Sequence, residues 1–176
     1  MANIKKPGTR SASPATKEPA VKKKFTVKDV DPSQMITVRN GYQGVLTYKS
    51  ARTGETYKWD HFGDEQEIEL RELRNAKSSA KRFFEDNWFL FDDDFSWVPE
   101  YLGVGNMYKN AIGFEDFSTL FSKTPAEISE IIKGLSSGQK SAVACKARQL
   151  IEAEEIDSLK VISTLEKLLG TQLIEK

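Results

Sequence analysis

Residues able to do chemistry are few in this chain, and they do not cluster. There is one histidine, His61, and one cysteine, Cys145. General acid–base catalysis needs a proton carrier held near neutrality, and nucleophilic catalysis needs a thiol or hydroxyl beside a base. His61 stands in the loop Trp59-Asp60-His61-Phe62 with no nucleophile at motif spacing, so it reads as a packing residue. Cys145 falls inside a helical pattern and reads as a small core or partly buried side chain. A single cysteine permits neither an intramolecular disulfide nor a cysteine metal cluster. Asp92-Asp93-Asp94 is a run of possible metal ligands. A calcium loop alternates its ligands, turns on a central glycine and closes with a glutamate at the twelfth position. This run has none of these, and its acids are better placed to cap the helix that follows. There is also no glycine-rich phosphate loop, HExxH, CxxC or nucleophile elbow. The expectation is a protein without catalytic site, cofactor or metal.

Charge is more informative. The net charge is zero. Residues 1–30, however, carry eight Lys or Arg against two acids, a net of +6, and residues 31–176 carry a net of −6. A basic leader on an acidic body points to a polyanionic partner or an acidic protein surface. The leader is made of Lys, Pro, Ser, Ala and Thr and cannot bury enough apolar surface to offset the entropy of ordering. It is expected to be a disordered arm that orders on a partner, ending in Lys22-Lys23-Lys24-Phe25. No apolar run opens the chain and none approaches the ~20 residues needed to span a bilayer, so neither a secretory signal nor a membrane partner is expected.

The elements follow from periodicity. Met35 to Val38, Val45 to Tyr48, Thr56 to Trp59 and Glu67 to Leu70 alternate as short strands, with Asn40-Gly41 and Arg52-Thr53-Gly54 as hairpin turns. A helix is expected from about Arg71 to Asn87, with Leu73, Ala76, Ala80, Phe83 and Phe84 as its apolar stripe and Arg71, Arg74, Lys77, Lys81 and Arg82 opposite. Thr124-Pro125-Ala126-Glu127 is a capping box. Ser136-Ser137-Gly138 separates its helix from another over about Gln139 to Ala153, and a last helix, capped by Asp157, buries Leu159, Ile162, Leu165 and Leu169 before Gly170. The fold class is α+β: a small antiparallel β-meander, SH3-like or an open sheet, followed by a helical C-terminal half. The units are a disordered arm (1–30), a small sheet (31–70), an aromatic-rich helical segment packed on it (71–123) and a three-helix segment (124–176).

The densest material lies between Phe83 and Tyr101, where eight of the 18 aromatics fall within 19 residues. Each buried aromatic removes on the order of 150–250 Å² from water, so this stretch is expected to supply the core. Those of its members left exposed, such as Phe89, Phe91 or Phe95, are candidate docking contacts together with Lys22, Lys23, Lys24 and Phe25.

Three segments resemble those of uncharacterised tailed-bacteriophage virion proteins, mostly of Gram-positive hosts. They are Gly54 to Gln66 (GETYKWDHFGDEQ), Glu72 through Trp88, and Leu135-Ser136-Ser137-Gly138-Gln139-Lys140 through Leu159. The resemblance spans roughly residues 35–176 and implies virion membership. Together with the basic arm, the dense aromatics and the lack of catalytic motifs, it leads us to expect a non-enzymatic, head- or capsid-associated accessory subunit in the virion, and in host cytoplasm during assembly. Its partners would be capsid, portal or tail subunits, with nonspecific contact between the basic arm and packaged DNA. The competing expectation is a cytoplasmic nucleic-acid-binding regulator. It rests on the likeness of the helix, Ser136-Ser137-Gly138 turn and helix to a helix-turn-helix, with Lys140, Lys146 and Arg148 on the second helix. The acidic body opposes it, because cations displacing counterions supply most of the affinity for DNA.

Overall fold

Strands β1 (Met35–Asn40), β2 (Leu46–Lys49), β3 (Thr56–Trp59) and β4 (Glu65–Glu69) open the fold in a computed structural model that describes residues 30–174. A two-residue strand, β5 (Phe89–Leu90), joins them later in the chain. β1 is the centre of a three-stranded antiparallel sheet ordered β4-β1-β5, while β2 and β3 pair as a separate hairpin. Ile36 lies opposite Ile68, and Leu46 opposite Trp59. Alternation then does what period two requires: Ile36, Val38, Leu46, Tyr48, Trp59 and Ile68 all point inward and are at most 5% exposed. The two sheets are tied by Trp59 Nε1, which donates to Val38 O at 3.0 Å. Gln66 Nε2, on β4, donates to Lys58 O of β3 at 2.9 Å.

Asn40-Gly41 does not close a β1–β2 hairpin, contrary to its sequence signal. Asn40 pairs instead with Phe89 of β5. Its buried amide binds the surrounding loops: Nδ2 donates to Gly44 O and His61 O, and Oδ1 accepts from Tyr42 N. Gly41 N donates to Trp88 O at 2.7 Å, and a Cβ on Gly41 would lie 2.4 Å from Asn87 O. Glycine is needed here for close approach of the Asn87-Trp88 backbone rather than for a turn.

The expected long helix is two helices, α1 (Leu70–Ser79) and α2 (Arg82–Glu85), broken at Ala80, whose backbone leaves the helical region (φ −142°, ψ 46°). After α2 the chain reverses through Asn87, at φ 53°, into β5. The break lets the aromatics converge. Phe83 and Phe89 both stand edge-on or tilted around Tyr48, and Phe89 also meets Trp59 (5.6 Å) and Phe84 (5.5 Å). Two short helices, α3 (Val98–Leu102) and α4 (Gly105–Tyr108), close this first core. Ahead of α3, Asp93–Phe95 make a single 3₁₀ turn.

The remaining helices are α5 (Phe114–Leu120), α6 (Pro125–Gly134), α7 (Ser137–Glu152) and α8 (Leu159–Leu169). They bury Phe117, Ile128, Ile132, Val143, Ala147 and Leu165 as a second core. The capping box forms as its residues require: Thr124 Oγ1 accepts from Glu127 N and Glu127 Oε2 accepts from Thr124 N. Gly138 does not break the chain but lies in the first turn of α7, which Ser136 caps by accepting from Gln139 N at 3.2 Å. At α8 the cap position is Ser158, not Asp157.

The two cores meet on polar and aromatic contacts. Ser136 Oγ donates to Asp86 O at 3.1 Å. Gln139, fully buried, reads both backbone groups of Ile112: Nε2 donates to its carbonyl and Oε1 accepts from its N–H. Phe62, from the β3–β4 loop, packs on Phe114 (5.7 Å) and Phe117 (4.9 Å) of α5. The arrangement is α+β, small antiparallel sheets followed by helices.

Candidate partner-binding surfaces

Lys22, Lys23, Lys24 and Phe25 lie outside the described residues. Phe89 is corrected: it is 0% exposed, paired in β5 and packed against four other rings, so it is a core residue and offers nothing to a partner. Both residues of β5 are buried, and Phe91, just past the strand's end, is only partly buried at the edge of the first core. Phe91 and Phe95 are half-buried, and Phe91 rests on Tyr108 at 5.6 Å.

Phe91 lines a cleft of about 420 Å³ between the Asp92-Asp93-Asp94 turn and the start of α5. One arginine, Arg39, faces five carboxylates there: Asp92, Asp93, Asp94, Glu115 and Asp116. β1 delivers Arg39 as an outward position of its alternation. Nε donates to both oxygens of Asp92 (2.7 and 2.9 Å), Nη2 meets Glu65 at 2.5 Å, and Nη1 donates to Gly63 O at 3.3 Å. The guanidinium also lies 5.1 Å from the Phe114 ring centroid. The hydrogen bond to Asp92 holds Arg39 charged more firmly than an isolated guanidinium. Arg39 thus fixes the cleft's shape, while its remaining acids keep an excess of negative charge beside two aromatic faces.

Three of the five cations in the basic row on α1 and α2 are paired with nearby acids. Arg71 pairs with Glu69, Lys81 with Glu85 at 2.6 Å, and Arg82 with Asp86 at 2.8 Å. Arg82 also covers the Trp88 ring. On α7 the three cations do not share one free face. Arg148 donates to Thr171 Oγ1 and Gln172 O, both at 3.0 Å, and Lys146 points into a hollow.

That hollow, of about 480 Å³, contains His61 and Cys145 and has Phe62, Phe114 and Phe117 as its floor. It shares Phe117 and Lys146 with a second of about 300 Å³, lined by Phe121, Leu150 and Ile156, so the two form one trough along α7. The His61 ring is well exposed and stands 3.5 Å from Asp64 Oδ2. No hydrogen bond joins it to Cys145. Among the described residues, no group of three or more His, Cys, Asp or Glu is placed to hold a metal ion, and no helix is long and apolar enough to cross a membrane.

Sequence reading missed both surfaces. An arginine at an outward strand position gives no sign of its partners, since Asp92 is 53 residues away. The trough depends on Phe62, a loop residue outside any periodic pattern. No protein-family model matches the chain, and neither a curated protein nor a solved structure does.

Proposed function

We propose that the protein is a non-enzymatic structural subunit of a bacteriophage virion, associated with the head and docking on other virion proteins, with residues 1–30 as its anchoring arm. The observation that carries this reading is the segregation of charge: a net of +6 in residues 1–30 against −6 in the rest. On the body, excess negative charge gathers in the cleft around Phe91, where an aromatic wall and four carboxylates beyond Asp92 face outward from a rigid frame. Such a body repels DNA phosphate and suits a protein surface with exposed cations, while the arm suits an acidic neighbour or packaged DNA. An arm that orders only on binding gives wide reach for a small folded mass.

Deleting residues 1–24 tests the arm. Incorporation into particles should fall while the thermal unfolding of the body stays unchanged; loss of folding would make the arm part of the core instead. A salt-dependent gel shift separates this reading from a DNA-binding regulator. Weak binding that vanishes with the arm supports the virion subunit, and tight binding that survives the deletion supports the regulator.

A further inference from the structure

One strand edge of the body stands open. β2 pairs with β3 on one side, and among the described residues no strand lies on its other side. The register fixes which backbone groups this leaves. Ser50 N donates to Glu55 O, and the pairs Tyr48–Tyr57 and Leu46–Trp59 follow at steps of two, so these residues turn their backbone groups toward β3. Thr47 and Lys49 turn theirs the opposite way. Lys58 of β3 obeys the same alternation, since its carbonyl faces away from β2 and accepts from Gln66. The N–H and C=O of Thr47 and Lys49 have no hydrogen-bond partner among the described residues. Apolar surface adjoins the edge. Val45, just before β2, is 55% exposed, and Phe83, edge-on to Tyr48 at 5.6 Å, is only half-buried. An open edge of this kind is a template for another strand.

The chain's own sequence contains one. Phe25-Thr26-Val27-Lys28 alternates apolar with polar residues and is β-branched or aromatic at three of four positions; no other run in residues 1–29 does so. The residues that follow it are anchored near the edge. Pro32 O accepts from Arg71 N at 2.8 Å, at the start of α1. The next residue of α1, Glu72, accepts from Tyr48 Oη at 2.6 Å and faces Arg52 at 3.3 Å, so it holds both sides of Lys49. The leader and the Lys49 end of β2 thus meet at the same turn of α1. At roughly 3.3 Å per residue, extended chain running back from Pro32 is long enough to lie along β2.

We infer that Phe25-Thr26-Val27-Lys28 adds as a further strand to β2 of its own chain. It bonds to the outward groups of Thr47 and Lys49 and lays Phe25 and Val27 beside Leu46 and Tyr48. This goes beyond the virion reading and does not rest on it. The added strand roots the leader on the body and leaves residues 1–24 as the part that reaches a partner.

Hydrogen exchange of the full chain, followed amide by amide by NMR, tests it. The Thr47 and Lys49 amides should exchange at least about tenfold slower than unbonded, exposed amides. The double variant T26P/V27P removes a donor facing β2 whichever the register, because donors alternate sides along a strand. It should return both amides to fast exchange, while Ala12→Pro should leave them slow. The Tyr48 amide, which faces β3, should stay slow in every variant and reports that the body is still folded. Fast exchange at Thr47 and Lys49 in the wild type would overturn the inference. So would slow exchange that survives T26P/V27P. Slow exchange that is lost on dilution also overturns it, because the covering strand would then come from another molecule.

Discussion

At the scale of single residues, Tyr48 and Glu72 are the most constrained polar pair. Glu72 is 1% exposed, and its carboxylate accepts from Tyr48 at 2.6 Å, from Asn75 at 3.2 Å, and faces Arg52 at 3.3 Å. Tyr48→Phe would leave a buried carboxylate short of a donor. It should cost about 1–3 kcal/mol, read by urea denaturation. Burial alone would raise the Glu72 pKa, but these hydrogen bonds and the Arg52 charge outweigh it and hold the carboxyl below its ordinary value of 4.5. The unfolded chain therefore takes up the proton first as pH falls. The stabilisation is full above about pH 4.5 and is lost below it, as pH falls through the folded-state value. Glu72→Gln should flatten the pH dependence of stability in that acid range, and an unchanged slope would show that Glu72 does not carry it. At the alkaline end the sign reverses. Burial, then the Glu55 contact, push the Tyr57 phenol up to about 12. Ionisation of the unfolded chain then leads, and stability should fall as pH rises above 10.

At the scale of elements, the two cores press closely together where α7 begins. A Cβ on Gly138 would lie 2.2 Å from Asp86 O and 2.9 Å from Trp88 Nε1, so the first turn of α7 sits directly on the exit from α2. Gly138→Ala should destabilise by about 1–3 kcal/mol through overpacking, despite the better helix propensity of alanine. Gly54→Ala removes a glycine with nothing near its Cβ, but at φ 76° it reports backbone strain only and serves as the contrast. The same position shows why the sequence misleads here. Ser136-Ser137-Gly138 does fall at the boundary between α6 and α7, but Gly138 itself is inside α7, because the signal for close packing against a distant carbonyl is identical to that for a turn. Asn40-Gly41 misleads in the same way, as its partner is Trp88 O and lies 47 residues on. What local pattern alone determines was legible: strand alternation, the capping box at Thr124, the glycine stop at Gly170, and the aromatic core. What depends on pairing across the chain was not, including β5, the break at Ala80, the Arg39 cleft and the trough. Phe89 illustrates the boundary. Its stretch was correctly read as core, but only the pairing with Asn40 shows that this ring faces inward; Phe89→Ala should cost about 3–5 kcal/mol.

At the scale of the whole molecule, an acidic body follows a basic leader of opposite charge. The body is organised partly by internal pairs: acids neutralise Arg71, Lys81 and Arg82 along α1 and α2, and Arg39 locks the cleft, where further acids stand beside aromatic side chains. That division of labour suits a subunit that sits among other proteins, and it sets different dependences for the two parts. Body stability should be insensitive to loss of residues 1–24, while attachment should weaken with salt over the range where a Debye length of roughly 10 Å shortens. Mass spectrometry of purified phage particles, comparing full-length chain with the chain lacking residues 1–24, tests the assignment most directly. The account predicts the full-length protein in particles at a fixed ratio to the major capsid protein and the shortened chain depleted. Particles devoid of the full-length protein, from cells that express it, would contradict it.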